Sequence, residues 1–219
     1  MIDLVLRLLF PPKCVLCQKL LGKGQDDLCP VCRQSTREFS YAKKNISFIA
    51  GWTALWYYEE DVRNSLVRFK FCNKCSYAVS YGRLLAMRLL QDEMVDFDLL
   101  TWVPISELRL HKRGYDQVKL LSAAVGRVLK VKPRATLRKI RHTPAQSTLS
   151  HISARRANVL GAYRAIDPSI IQGKRILLLD DIITTGATAS ECARILLTAG
   201  AKEVIFAAVA ATDPKKNAR

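Results

Sequence analysis

Residues Arg175 to Thr188 read RILLLDDIITTGAT: four apolar side chains run into two adjacent carboxylates, then into a threonine-rich loop around one glycine that opens a helix. Few folds accommodate that order. A short continuous apolar run predicts a strand buried on both faces, as parallel sheets under helices require. Ligands of open α/β sheets bind outside the carboxyl ends of such strands, where Asp180 and Asp181 fall. The loop offers backbone N–H groups and the hydroxyls of Thr184, Thr185 and Thr188 around a small concavity. Gly186 lets the backbone come close, and the positive end of the next helix points at the same spot. A phosphate monoester suits this loop. The carboxylates would repel it, so they face something else, either vicinal sugar hydroxyls or a divalent cation. The lysine of GxxxxGK[ST] is missing, which argues against an NTP-hydrolysing P-loop. The plain alternative is a ligand-free strand-turn-helix with capping aspartates.

The surrounding chain agrees with an α/β reading. From Leu99 onward, short apolar runs alternate with amphipathic segments, the pattern of parallel strands joined by crossover helices. Strands are predicted at Leu99 to Val103, Ile176 to Leu179 and Val204 to Val209, and helices at Gln117 to Leu129 and Ser190 to Ala199. Upstream, the Trp52 to Tyr58 segment predicts a strand, and Glu59 to Lys70 and Tyr81 to Leu90 predict helices. The polar, basic stretch Arg33 to Lys44 suits a linker. It divides the chain into residues 1–36, a short helix (Ile2, Val5, Leu6 and Leu9 at helical spacing) followed by a cysteine module, and a larger domain over 45–219.

That module holds Cys14-x2-Cys17, then 11 residues, then Cys29-x2-Cys32. Two CxxC knuckles bring four thiolates toward one point, the tetrahedral geometry that suits Zn2+. Disulfides or unpaired thiols are the alternatives. With four sulfur ligands no position is left for a catalytic water, so this zinc is structural. Cys72-x2-Cys75 lacks the other half of a tetrahedral site and reads as two free thiols in a turn, with a redox or metal role as the alternative. Cys192 reads as a small core residue.

Composition narrows the partners. The 219 residues, 49% hydrophobic and 25% charged, can bury a core, and 35 Lys and Arg against 19 Asp and Glu give a net charge of +16. Polyanions are the natural counterparts. Residues 101–156 carry 13 of the basic side chains against Glu107 and Asp116 alone, together with His111, His142 and His151. Such a block suits a single-stranded phosphate backbone, and an ordinary solvated basic face is the alternative. Trp102 and Tyr115 are its only Trp or Tyr, so sequence-specific base readout is not indicated. No apolar run approaches the roughly 20 residues of a membrane span. Asp3 and Arg7 break the first ten residues, which make a poor secretory signal. A soluble protein is expected.

The acidic pair followed by TTGAT resembles the phosphoribosyl pyrophosphate (PRPP) signature of type I phosphoribosyltransferases. The four-Cys ribbon, RFKF at Arg68 to Phe71, VPI at Val103 to Ile105, KRGYDQ at Lys112 to Gln117, RHTPAQSTLS at Arg141 to Ser150 and ARRANVLGAY at Ala154 to Tyr163 together resemble the ComF/GntX family. The resemblance implies a type I phosphoribosyltransferase-like parallel sheet with flanking helices plus a small N-terminal four-Cys zinc ribbon. It also implies a cytoplasmic protein linked to natural transformation through incoming single-stranded DNA, with a DNA-uptake helicase as a possible partner. By residue, it puts Asp180 and Asp181 on the ribose hydroxyls and Thr184, Thr185, Gly186, Ala187 and Thr188 on the 5′-phosphate. Cys72 and Cys75 depart from it, in a turn expected to be more polar.

Two functions are compatible with these residues. One is an accessory protein of DNA uptake that binds a PRPP-like ligand and single-stranded DNA. The other is an active transferase moving ribose 5-phosphate from PRPP to an unknown acceptor, with Asp180 and Asp181 as its catalytic pair. Transfer needs Mg2+ to neutralise the leaving pyrophosphate and cations to receive it. Lys112, Arg113, Lys139 and Arg141, expected in loops beside strands, are the candidates for the second task. No segment reads as a hood over a nucleobase.

Overall fold

The computed structural model describes residues 11–40, 45–141 and 159–213. The short helix expected over the first ten residues, Lys43 and Lys44 of the linker, His142, His151 and most of the RHTPAQSTLS and ARRANVLGAY segments lie outside the described residues.

The elements in chain order are α1 (Pro30–Ser35), β1 (Gly51–Tyr57), α2 (Glu60–Phe71), α3 (Tyr77–Gln91), β2 (Leu99–Trp102), α4 (Glu107–Arg113), α5 (Gln117–Leu129), β3 (Leu137–Lys139), β4 (Tyr163–Ala165), β5 (Arg175–Ile183), α6 (Ala187–Thr198) and β6 (Glu203–Ala211). Strands β1, β6, β5 and β2 form one parallel sheet in that order. Its central strands have covered faces, which explains their unbroken apolar runs: Ile176, Leu177, Leu178 and Leu179 have no exposed surface. One face packs Leu177, Leu179 and Ala207 under Phe69, Tyr81, Leu85 and Leu121 of α2, α3 and α5. The other packs Ile176, Leu178 and Phe206 under Cys192 and Leu196 of α6, and under Leu137 and Tyr163 of the small antiparallel β3–β4 pair. Cys192 is the buried core residue its neighbours predict.

Helices α3 and α5 meet closely because Gly82 has no side chain, since a Cβ there would lie 2.3 Å from that of Ala124. Helix α2 carries Glu60 and Asp61 in its first turn and Arg68 and Lys70 in its last, matching its dipole. That charge order leaves Lys70 at the carboxyl end of the sheet.

Several boundaries differ from the sequence expectation for physical reasons. Strand β5 runs past the carboxylates, because Ile182 and Ile183 go on pairing with Ala210 and Ala211 of β6. Helix α6 starts at Ala187, directly after Gly186, instead of at Ser190. Helix α4 buries none of its residues, so it carries no apolar periodicity to read. It places Lys112 and Arg113 in a last helical turn, and β3 places Lys139 in a strand, where loops were expected. Among the described residues, no helix is long and apolar enough to cross a membrane.

Candidate functional site

Asp180 and Asp181 are neighbours in β5, and their side chains meet different groups. Asp181 is 5% exposed. Its Oδ1 lies 2.9 Å from the Lys70 ammonium, and its Oδ2 accepts from Gln117 Nε2 at 2.7 Å. Asp180 is half-buried and accepts the Asp181 amide at 2.8 Å. Lost hydration and the adjacent Asp181 carboxylate push its pKa well above the usual carboxylate range. Asp180 also shares its electrostatic environment with Cys192, Lys139 and Tyr163. The two carboxylates are thus unequal, one held by an internal cation and amide, the other beside groups on the α6 side.

The loop after them turns at Gly186. Gly186 adopts φ +82°, a left-handed conformation that suits glycine, and an added Cβ would lie 3.2 Å from Ile46 Cγ2. Thr185 Oγ1 accepts the Ala187 amide at 3.3 Å, and the Thr184 carbonyl accepts Thr212 Oγ1 at 3.3 Å. Among the described residues, the amides of Thr185 and Gly186 have no intramolecular acceptor. Two donors therefore stand ready at the start of α6, where the helix dipole adds positive potential.

The candidate cations divide. Lys139 is 9% exposed, with its ammonium 5.1 Å from the centre of the Tyr163 ring, and burial lowers its pKa to about 8. Arg109, which the sequence reading passed over, shares its electrostatic environment. Arg113 lies over the Phe71 ring at 5.0 Å and donates to Gln117 Oε1, the same residue that holds Asp181. Lys112 lies exposed in the last turn of α4, and Arg141 is exposed and donates to the Leu160 carbonyl at 2.7 Å. Cys72 caps α2 in an exposed turn, and Cys75 Sγ lies 3.6 Å from Asn73 Oδ1.

The ribbon is a second centre. The sulfurs of Cys14, Cys17, Cys29 and Cys32 all lie within 4.8 Å of one another, and Cys17 and Cys29 are 3.7 Å apart. An edge of an S4 tetrahedron with 2.3 Å bonds is about 3.8 Å, so the donor set fits Zn2+. The Cys32 amide lowers the Cys29 thiol to about 7, while burial raises Cys17 and Cys32. The knuckle is bolted to the larger domain: Ser65 and Arg68 of α2 donate to the carbonyls of Val15 and Leu16, between the first two cysteines. Arg83 of α3 grips Asp27 through Nε at 3.0 Å and Nη2 at 2.5 Å.

A phosphoribosyl transferase domain model matches residues 115–219, and a double zinc ribbon domain model matches residues 5–43. The fold and its two centres thus define a phosphoribosyl transferase-type α/β domain carrying a zinc ribbon. Competence protein F of Haemophilus influenzae is 26% identical over 88% of this chain and 93% of its own length. DNA utilization protein YhgH of Escherichia coli strain K12 is 27% identical over 89% and 94%, and Competence protein ComFC of Streptococcus pneumoniae 25% over 87% and 84%. The chain is similar over most of its length to these competence and DNA utilization proteins.

Proposed function

We propose that this protein acts in the cytoplasm in the handling of incoming DNA, binding a PRPP-like ligand at the end of β5 and single-stranded DNA on its basic face. The names of its relatives, competence proteins and a DNA utilization protein, support the setting. One observation carries the ligand: among the described residues, the amides of Thr185 and Gly186 have no protein acceptor directly after the acidic pair. In this reading Thr184 to Thr188 hold the 5′-phosphate. Asp180 accepts from the ribose hydroxyls, and Asp181 contributes mainly by fixing Lys70 and Gln117 beside it. Lys139 covers the diphosphate, with Lys112 and Arg141 nearer solvent and Arg113 half-buried against Phe71 and Gln117. Mg2+ fits only as a passenger on that diphosphate: Lys70 already balances Asp181, and among the described residues no group of three acidic or histidine side chains stands ready to hold a cation. A helicase of the uptake machinery is the partner this setting implies.

Transfer to an acceptor is a second reading, favoured by the position of Lys139 in the field of Asp180 and of Arg109 near Lys139, where a leaving diphosphate needs cations. Calorimetric titration of PRPP with Mg2+ tests the shared premise. Binding by the wild type that is lost in Asp180→Asn supports it, and no heat with either protein refutes it. Pyrophosphate release across a panel of acceptors then separates binding from transfer.

A further inference from the structure

Beside the phosphate loop lies a hollow of about 260 Å³ that neither aspartate lines. One wall is the loop itself, Thr185 and Gly186, continued by Ser190 and Arg194 along the flank of α6. The other wall is Ile46 and Phe48; Val159, Leu160 and the Glu191 carboxylate, which is paired with Arg194, also line the hollow. The volume falls just below the ~300 Å³ at which pockets for drug-sized ligands begin, so it suits a single nucleoside.

Phe48 is the unusual member. It is half exposed and has φ +68°, a left-handed conformation that is a true outlier for a bulky side chain. Burying the ring in the core would be a reason to hold the backbone this way, and Phe48 is not buried. An aromatic face held open beside a phosphate seat points instead to a stacking partner.

The position decides what that partner is. An acceptor for ribosyl transfer must reach C1′, on the aspartate side of a sugar whose 5′-phosphate sits in the loop. This hollow adjoins the loop and runs away along α6, so its occupant has to be joined through the phosphate. We infer that the loop also accepts a phosphodiester of single-stranded DNA and that the hollow seats the nucleoside on its 5′ side, with the base against Phe48. The inference rests on the loop being a phosphate seat, as proposed above. It makes the PRPP-like ligand and the DNA strand rivals for the same amides.

The test uses the full chain, an oligothymidylate of about four nucleotides, short enough that the basic face contributes little, and ribose 5-phosphate. Phe48→Ala, and Ser190→Met, which fills the hollow, are expected to weaken oligonucleotide binding about tenfold in fluorescence anisotropy. Phe48→Trp is expected to retain it, and all three to keep wild-type affinity for ribose 5-phosphate by calorimetry. Ribose 5-phosphate should displace the oligonucleotide from the wild type. Unchanged oligonucleotide binding in both Phe48→Ala and Ser190→Met, or failure of displacement, overturns the inference while leaving the phosphate seat intact. Absence of ribose 5-phosphate binding removes the seat and the inference together.

Discussion

The ammonium of Lys70 stands 2.9 Å from Oδ1 of Asp181, joining the last turn of α2 to the central strand across 111 residues of sequence. It makes the two aspartates opposite in their energetics, although they are adjacent and chemically identical.

Replacing each by asparagine separates them. The Asp180 pKa is raised in the fold, so stability falls as pH climbs from the unfolded value, about 4, through the raised one, and at neutral pH the charged form is penalised. Asp180→Asn is expected to raise the melting temperature while weakening PRPP binding. Asp181→Asn leaves Lys70 without its carboxylate and should cost about 2 kcal/mol in urea unfolding. Equal shifts of the same sign in both variants would contradict this division.

Lys139 supplies a pH signature. Its pKa of about 8 lies below that of a free lysine, so the protein gains stability as pH rises from 8 toward the unfolded value, as the penalty on the charged form disappears. Over the same window the ammonium is lost to an anionic ligand. PRPP affinity should fall between pH 7 and pH 9, ribose 5-phosphate affinity should fall less, and Lys139→Met should flatten the difference in calorimetry.

Gly186→Ala is expected to destabilise by about 1–2 kcal/mol, the cost of a left-handed alanine. Ile46 at 3.2 Å must also give way. Denaturant unfolding reads the stability change, and ligand titration should show weaker phosphate binding in the same variant.

Metal analysis is expected to find one zinc in the ribbon, and chelation should unfold the chain. Ligation is worth on the order of 10 kcal/mol in zinc peptides, as much as the whole stability of a typical domain. Cys17→Ser should reproduce the loss. Full retention of the melting transition in zinc-free protein would contradict a structural role.

Single-stranded DNA affinity should drop steeply with added salt, with a log–log slope of about −0.7 per phosphate contacted. Removing the exposed charges of Lys132 and Arg138 should flatten that slope. Affinity that holds constant from low to high salt would exclude a backbone-tracking face.

How much of this was legible in the chain depended on distance along it. The β5 run, the acidic pair and the glycine loop are contiguous, and the zinc knuckles carry their spacing on the surface of the sequence. Lys70 and Gln117 were invisible as partners of Asp181, because helix packing brings them there from 111 and 64 residues away. The one available sign was a lysine between Phe69 and Phe71 on an otherwise apolar helix end. Helix α4 escaped notice because it buries nothing, and β3 and β4 because three residues are too few to show a period. The two apolar residues after the acidic pair were the missed hint that β5 continues to Ile183.

The carbonyls of Val15 and Leu16, clasped by Ser65 and Arg68, tie the cysteine knuckle into the same apolar cluster as Leu66, Phe69 and Tyr81. A newly made chain starved of its metal would bare that greasy surface to chaperones and proteases. Cellular abundance of this protein should therefore track zinc supply, so that scarcity of the ion silences it by attrition well before any ligand is encountered.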